Sequence, residues 1–342
     1  MHRRVLLAAP LLAAPLLLPG ARRASAQPAG VVLEEFQVSS GNGIQLYLRN
    51  KRQDGATAAR ADRVVLCIHN GTFPGSTSFD LPAGGVSWMD YMAGRGFDVW
   101  TVDLRNFGRS TREAAMSQPP GGAPLTRAPD ALADIAAAAA FIREKRGVPK
   151  LVLLGWGWGG ALAARFATEH AALVDRLVLY APEWPRENGA APTDSQPLQS
   201  YRNLTRAEVR ARWVEGVPDA RRGALFPAGW YEHWADTTFA TDPEGARQVP
   251  SVLRVPNGPL ADAAAGRLFE AAKVTVPTLV TLGEWDRETP PAQALALFQA
   301  MTGVAAKRFV VLGEGTHGIM LERNRGALFQ SVQVFLEEAL TG

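Results

Sequence analysis

The sequence has one cysteine, five histidines and no run of basic residues. Cys67 lies in the apolar run 64–68, where a small buried side chain is expected, and a single cysteine excludes an intrachain disulfide. The lack of a Lys/Arg run leaves no electrostatic footprint for nucleic acid, so we do not expect nucleic acid as a partner. We also expect neither a cofactor nor a bound metal.

Long apolar runs are scarce, and the one near the N-terminus covers only the 15 residues 5–19. It contains Pro10 and Pro15, ends at Pro19, follows Arg3 and Arg4, and precedes Ala24-Ser25-Ala26. Because about 20 apolar residues are needed to cross a bilayer, this pattern predicts a cleaved signal peptide over residues 1–26 and no membrane anchor after cleavage. The protein would be exported, to the periplasm or beyond, and both the Sec and the twin-arginine routes stay open.

The remaining chain has the composition of a globular protein. Hydrophobic residues make up 47% and charged residues 20% of the whole sequence. Without the four arginines of residues 1–26, the chain carries 32 Lys/Arg and 33 Asp/Glu, a net charge of −1. We therefore expect one large core with an insertion. The oligomeric state stays open.

Apolar runs alternate with helical segments, which predicts an α/β fold with a mostly parallel sheet flanked by helices. Asn42-Gly43 predicts a hairpin turn between the first two strands, which would form an antiparallel edge. The predicted strands are 31–38, 44–48, 64–69, 97–103, 151–154, 177–180, 278–282 and 308–312. The predicted helices are 88–95, 129–146, 160–170, 292–301 and 323–339.

The alternation stops after Pro182 for about ninety residues and predicts an inserted, mainly helical cap over residues 183–272. The core would then consist of residues 27–182 and 273–342. The predicted cap contains many aromatic residues. We expect two of them, Trp184 and Trp234, to line an apolar substrate pocket together with Trp156. The alternative is that these rings only pack the cap onto the sheet.

A strand, a sharp turn and a helix are predicted around Gly155-Trp156-Gly157-Trp158-Gly159. This setting exposes a nucleophilic serine in the motif G-x-S-x-G, but position 157 is glycine. Glycine also relieves the backbone strain of such a turn, which costs about 1–3 kcal/mol for a residue with a Cβ. The fold would therefore survive without the nucleophile.

Two residues near the C-terminus follow predicted strands, where sites of α/β proteins gather. His317 lies in a glycine-rich loop and suggests a catalytic base, while Asp286 lies about thirty residues earlier and suggests the carboxylate that orients it. The alternatives are a solvated loop histidine and, for Asp286 and its neighbours Glu284 and Glu288, plain surface acids.

From about Val31 to its end, the chain resembles the α/β-hydrolase family, in particular its capped esterase and epoxide-hydrolase-like members. The turn at 157, the acid at 286 and the histidine at 317 follow the chain order of that family. Residues 103–110 (DLRNFGRS) are similar to its D-x-R-G-x-G-x-S stretch, and His69-Asn70-Gly71 is similar to its oxyanion loop. Asn70 and Asn106 replace glycines, which asparagine imitates by tolerating left-handed backbone angles.

The resemblance implies a hydrolase that acts on an ester-like or other carbonyl small molecule, with impaired catalysis because Gly157 occupies the nucleophile position. His317 and Asp286 would activate water. The backbone N–H group of Trp158, and those of Asn70 and Gly71 in the loop 70–72, would hold the oxyanion. One alternative is a non-catalytic, ligand-binding pseudo-hydrolase.

A second alternative comes from the glycines themselves. Gly155, Gly157 and Gly160 satisfy the dinucleotide pattern G-x-G-x-x-G, and Glu183 follows 23 residues after Gly160. Bulky tryptophans at 156 and 158, and the late position of this strand in the chain, weigh against it.

Overall fold

The computed structural model describes residues 30–55, 59–82, 85–185 and 197–339. The predicted signal peptide, residues 1–26, lies outside these ranges. Within them, no helix has the length and apolar character needed to cross a membrane.

Eight strands form the main sheet, in the spatial order β1-β2-β4-β3-β5-β6-β9-β10. The strands are β1 (Val31–Gly41), β2 (Ile44–Gln53), β3 (Val64–Ile68), β4 (Asp98–Asp103), β5 (Leu151–Trp156), β6 (Val174–Tyr180), β7 (Tyr201–Thr205), β8 (Val252–Pro256), β9 (Thr278–Gly283) and β10 (Lys307–Leu312). From β4 to β10 every pair in the main sheet is parallel. The predicted α/β fold with a mostly parallel sheet is confirmed.

The helices alternate with these strands. They are α1 (Gly75–Ser78), α2 (Trp88–Ala93), α3 (Ala128–Arg146), α4 (Trp158–Glu169), α5 (Arg206–Trp213), α6 (Asp219–Arg222), α7 (Trp230–Phe239), α8 (Pro243–Ala246), α9 (Gly258–Ala265), α10 (Pro291–Ala300) and α11 (Arg325–Glu337). Proline near the start of α3 and Gly147 in the left-handed conformation after its end are common helix boundary signals.

The antiparallel edge is confirmed, since β1 pairs with β2 around a turn at residues 42–43. Asn42 and Gly43 both have positive φ there, 50° and 77°, as a two-residue hairpin turn requires. The strands β3, β5 and β6 are buried along almost their whole length, which explains why they appear in the sequence as continuous apolar runs.

The segment between β6 and β9 holds α5 to α9 and a feature that the sequence did not predict. Strands β7 and β8 form a separate antiparallel pair. In β8, Arg254 is buried and its Nη2 lies 2.5 Å from Oδ1 of Asp242. The other regular elements in the described part of this segment are the helices α5 to α9, and the cap boundaries at 183 and 272 stay a prediction.

Candidate active site

Gly157 forms the turn between β5 and α4, with φ 60° and ψ −123°. Its N–H donates to the carbonyl of Tyr180 at the end of β6 (3.0 Å). A Cβ at position 157 would lie 3.1 Å from His317 Nε2 and 3.1 Å from Asn70 Cβ. The side chain that glycine lacks would therefore point between the imidazole and the loop after β3.

The other glycines of this turn allow close packing of the backbone. A Cβ at Gly155 would lie 2.3 Å from the carbonyl oxygen of Gly159, and one at Gly159 would lie 2.2 Å from that of His69. At Gly160 a Cβ would lie 3.2 Å from Pro182 Cβ. These contacts let α4 start directly against β3 and β5.

His317 and Asp286 come together at the carboxyl ends of β10 and β9. His317 Nδ1 lies 3.0 Å from Asp286 Oδ2, and the two residues are only 8% and 1% exposed. The distance fits a hydrogen bond from the imidazole to the carboxylate, which fixes the orientation of the ring. The remaining nitrogen, Nε2, faces Gly157.

The Asp286 carboxylate is itself held by the turn that follows it. Oδ1 accepts hydrogen bonds from the backbone N–H groups of Glu288 (2.9 Å) and Thr289 (2.8 Å). The Thr289 hydroxyl donates to Oδ2 (2.8 Å). A carboxylate with these partners stays in one position beneath the imidazole.

The backbone of His317 is fixed by two aromatic side chains. Trp156 Nε1 donates to the His317 carbonyl oxygen at 2.9 Å, and the Tyr180 hydroxyl donates to the same oxygen at 2.5 Å. Both donors are buried and belong to strands of the sheet. The histidine loop is therefore tied to β5 and β6 through its main chain.

Two carboxylates act on the His317 imidazole. Burial lowers its pKa, but the charges of Asp286 and Glu288 outweigh burial and raise the pKa to about 9. The Glu288 Oε2 atom lies 3.8 Å from His317 Nε2, and Glu288 also pairs with Arg212 of α5. Burial opposes ionisation of Glu288, whereas His317 and Arg212 together lower its pKa. At neutral pH the imidazole is therefore protonated.

The loop after β3 differs in one respect from the sequence prediction. Asn70 is not among the residues with positive φ, so it does not imitate glycine, whereas Asn106 does, with φ 67°. The Asn70 side chain instead accepts hydrogen bonds from the N–H groups of Thr72 (3.0 Å) and Phe73 (2.9 Å). The Thr72 N–H is thereby occupied and cannot hold an oxyanion.

The predicted oxyanion donors lie next to the turn. The N–H groups of Asn70, Gly71 and Trp158 have no acceptor among the described residues. A Cβ at Gly71 would lie 3.6 Å from Trp158 Cβ, so the two loops are adjacent. The Trp158 ring is buried and donates from Nε1 to Asp262 of α9 (3.2 Å).

His69 and residues 103–110 make hydrogen bonds close to the loop that follows β3. His69 Nε2 accepts a hydrogen bond from the Leu104 N–H (3.1 Å), and burial lowers the pKa of His69, so its imidazole is neutral. Asp103 accepts from both the N–H and the hydroxyl of Ser76. A Cβ at Gly108 would lie 1.9 Å from Asp103 Oδ2, which explains the glycine.

A cavity of about 150 Å³ reaches His317 from the side of α5. Its apolar wall consists of Phe73, Trp156, Leu204, Val209 and Trp213, and its charged groups include Arg212 and Glu288. Of the three expected pocket tryptophans, only Trp156 lines it. Trp184 packs on Phe269 and Trp234 on Phe73 and Trp213, as the packing alternative predicts. Gly157 does not line the cavity. His317 does, and it also lies next to Gly157.

No group of three or more His, Cys, Asp or Glu side chains in the described parts of the chain is arranged to hold a metal ion.

Comparison with protein families matches residues 63–324, more than half of the chain, to the alpha/beta hydrolase fold. The chain belongs to the α/β-hydrolase family. No curated protein sequence matches it.

Solved structures share the α/β-hydrolase fold at low sequence identity. The 2-hydroxy-6-oxo-6-phenylhexa-2,4-dienoate hydrolase of Rhodococcus sp. strain RHA1 is 17% identical, with a TM-score of 0.62 over 90% of this chain and 100% of that one. A serine hydrolase of Cycloclasticus zankles is 12% identical, with a TM-score of 0.60 over 90% and 98%. The enol-lactonase of Burkholderia xenovorans is 20% identical, with a TM-score of 0.56 over 88% and 100%.

Three residues near the site were not predicted as site residues from the sequence. Arg212 is on α5, and Thr289 follows Asp286 in the same turn. Glu183, named only for the dinucleotide pattern, donates its backbone N–H to the Gly157 carbonyl (3.1 Å). Its place shortly after the predicted strand 177–180 is the sequence signal that could have indicated this contact.

Proposed function

We propose that this α/β-hydrolase-family protein hydrolyses an ester-like or other carbonyl small molecule without a covalent intermediate. Its proton-transfer group is His317, oriented by Asp286, and its oxyanion donors are the N–H groups of Trp158, Asn70 and Gly71. Water takes the place of the missing nucleophile at Gly157. Turnover is expected to be low, because loss of the nucleophile costs about a millionfold in a studied serine protease.

One observation carries this proposal. A Cβ at position 157 would lie 3.1 Å from His317 Nε2, so the imidazole is aimed at the place where a nucleophile would stand. An ordered His–Asp pair beside free N–H groups supports acid–base chemistry on a carbonyl. The fold is shared with an enol-lactonase and a dienoate hydrolase, whose names denote hydrolysis of small carbonyl compounds.

Steady-state and burst kinetics on activated aryl esters test the proposal, using residues 27–342. We expect slow turnover without a burst, since no acyl-enzyme forms. His317→Ala should abolish the turnover, whereas His233→Ala, on the exposed side of α7, should leave it unchanged. Equal rates for the wild type and His317→Ala would contradict the proposal.

A second candidate is a ligand-binding protein without activity. It is favoured by the raised pKa of His317, about 9, which leaves the imidazole protonated and unable to act as a base at neutral pH. This candidate predicts binding of apolar carbonyl compounds in the cavity with no turnover in either protein. Isothermal titration with a non-hydrolysable ketone, alongside the kinetic assay, separates the two candidates.

Dinucleotide binding has weaker support. The glycines at 155, 159 and 160 are in close contact with backbone or proline, and the Trp158 side chain is buried at the start of α4. Little room is left for a pyrophosphate. A rise in melting temperature with NAD, NADP or FAD would support this alternative.

We also propose that the protein is exported and cleaved near Ala26. The support is the apolar run of residues 5–19 with its preceding arginines. N-terminal sequencing of the protein from its native host, or from a periplasmic fraction, tests the cleavage site.

A further inference from the structure

A second groove lies at the amino-terminal edge of the main sheet, beside the first residues of β3 and β4. Its volume is about 330 Å³. His317 and Asp286 follow the opposite ends of β10 and β9, and all strand pairs from β4 to β10 are parallel. The groove is therefore remote from the groups that the proposed hydrolysis uses.

Basic side chains dominate this groove. Among the described residues that line it, Asp98 supplies the single carboxylate. The cationic lining residues are Arg52, Arg60, Arg63, Lys145 and Arg146, and we call the site the basic groove. Outside residues 1–26 the chain has almost equal numbers of basic and acidic residues, so this excess of cations does not follow from composition.

Two of the guanidinium groups are placed at the groove by contacts with its other lining residues. Arg63 Cζ lies 4.5 Å from the centre of the Phe97 ring. Arg146 Nε lies 2.5 Å from Asp98 Oδ2. Because Phe97 and Asp98 both line the groove, the charged ends of these two arginines lie at it, and not only their aliphatic stems.

Three of the five cations have carboxylate partners. Arg146 shares Glu34 with Arg52, since Glu34 Oε2 lies 3.4 Å from Arg52 Nε and 3.4 Å from Arg146 Nη2. Arg60 pairs with Asp62 at 2.8 Å. The charges of these three arginines are therefore compensated within the protein.

Arg63 and Lys145 differ from the other three. Among the residues that the structure describes, no carboxylate oxygen lies within 4.0 Å of either charged group. Each cation lies instead over an aromatic ring, Arg63 over Phe97 and Lys145 over Phe36, with 4.5 Å from Nζ to the centre of the Phe36 ring. Such contacts hold a cationic side chain in place but leave its charge uncompensated.

The end of a helix explains part of this cluster. Lys145 and Arg146 lie in the last turn of α3, where the helix dipole favours positive charge. Arg52 belongs to β2, whereas Arg60 and Arg63 lie just before β3, so the dipole of α3 does not account for them. Three segments of the chain therefore bring cations to one groove, and a bound anion would remove their mutual repulsion.

We propose that the basic groove binds a phosphate monoester or diphosphate group, carried by a soluble compound or by a lipid headgroup. The guanidinium fork of arginine matches phosphate oxygens, and a phosphate monoester carries nearly two negative charges at neutral pH. These charges compensate Arg63 and Lys145. A volume of about 330 Å³ suits a small ligand. The proposal is independent of the hydrolase function, because the groove contains none of the proposed reacting groups.

Isothermal titration calorimetry with inorganic pyrophosphate at constant ionic strength tests the proposal. We expect saturable binding of one equivalent by the purified protein. The double variant Arg63→Gln/Lys145→Gln should bind about 10-fold more weakly or worse, since two charged donors are lost. The matched control Arg222→Gln/Lys273→Gln removes the same charge at exposed positions outside the groove and should bind as the wild type.

Two outcomes would overturn the proposal. Equal weakening in both double variants would show an adventitious ion only, attracted by overall charge. Absence of saturable binding by the wild type would also contradict the groove. Melting curves provide a second readout, because pyrophosphate should raise the melting temperature of the wild type more than sodium chloride does at equal ionic strength. His317→Ala should retain this increase, which separates the groove from the hydrolase site.

Co-sedimentation with vesicles identifies the source of the phosphate group. Vesicles of phosphatidylcholine with added phosphatidic acid present a phosphate monoester, and vesicles of phosphatidylcholine alone are the control. Sedimentation with the first vesicles that is lost in Arg63→Gln/Lys145→Gln, and is inhibited by pyrophosphate, would support a lipid headgroup. Binding of pyrophosphate without vesicle binding would support a soluble phosphate compound.

Discussion

At the scale of single residues, Gly157 combines a strained backbone with a crowded neighbourhood. Its φ of 60° and ψ of −123° lie where residues with a Cβ are rare, and a Cβ would meet Asn70 and His317 at 3.1 Å. The glycine therefore removes a nucleophile and relieves strain at the same time. The two effects can be measured separately by restoring the side chain in steps.

We predict that Gly157→Ser lowers stability by about 1–3 kcal/mol and gains labelling by a fluorophosphonate. The added hydroxyl would lie within reach of His317 Nε2, since the Cβ position is 3.1 Å away. Thermal unfolding and gel-based labelling provide the measurements. Gly157→Ala is the matched control and should be destabilised to the same extent without labelling. A serine variant that is folded but unlabelled would contradict the triad geometry.

Glu288 is expected to control the protonation of His317. Burial lowers the imidazole pKa, Asp286 raises it and Glu288 raises it further, to about 9. Glu288→Gln removes one of the two raising charges, so the pKa of His317 should fall. NMR titration of the His317 ring measures the shift. Glu284→Gln, an exposed neighbour in the same turn, should leave the titration unchanged, and an equal shift in both variants would contradict the assignment.

At the scale of elements, helix α9 is attached to the core by one buried carboxylate. Asp262 accepts hydrogen bonds from Trp158 Nε1 of α4 and from the Ala128 N–H at the start of α3, and it pairs with Arg127. The helix that carries Trp158, a proposed oxyanion donor, is therefore linked directly to the insertion between β6 and β9.

Asp262→Ala should destabilise the protein by about 3 kcal/mol, because it leaves buried donors without a partner. Urea unfolding measures the loss. Glu232→Ala removes only the exposed pair with Arg210 and should cost less than 1 kcal/mol. Similar losses in the two variants would show that Asp262 does not anchor α9.

The sequence predicted those elements whose local pattern matches their burial. Continuous apolar runs identified β3, β5 and β6, and Asn42-Gly43 identified the hairpin. The pair β7 and β8 was missed because its pattern is interrupted by Arg254, whose charge is buried only because Asp242 meets it in the folded protein. Asn70 was misjudged because a hydrogen-bonding side chain serves its turn without a positive φ.

The sequence identified the candidate site residues that directly follow strands of the main sheet. His317 and Asp286 follow strands, and parallel strands bring their carboxyl ends to one edge. The contacts of Arg212 with Glu288, and of Glu183 with the turn, depend on how the insertion packs on this edge. Short-range patterns in a sequence do not contain that information.

At the scale of the whole molecule, three groups with raised pKa values make stability depend on pH in the same direction. Burial raises the pKa of Glu183 and of Glu322 to about 7, and the carboxylates beside His317 raise its pKa to about 9 against the effect of burial. A group with a raised pKa stabilises the fold below its unfolded pKa, and this contribution is lost as pH rises through the folded value. The stabilising contribution of the two carboxyl groups is therefore lost between about pH 4.5 and 7, and that of the imidazole between about pH 6.5 and 9.

The melting temperature should therefore fall from pH 7 to pH 9. Below pH 7 the buried His69 imidazole acts against the two carboxyls, because burial lowers its pKa and its stabilising effect is lost as pH falls. Differential scanning calorimetry at pH 5, 7 and 9 and constant ionic strength measures the change. In His317→Ala the decrease between pH 7 and pH 9 should become smaller, since the titrating imidazole is gone. A melting temperature that is constant or rises from pH 7 to pH 9 would contradict the raised pKa assigned to His317.

The two hydrogen bonds to the His317 carbonyl oxygen, from Trp156 and Tyr180, have a consequence for engineering. They anchor the histidine through the sheet and involve no atom of residue 157. The orientation of the imidazole therefore does not depend on the side chain at position 157. Different side chains at position 157 can be compared in an otherwise constant frame, which makes this chain a suitable host for measuring what a nucleophile alone contributes to hydrolysis.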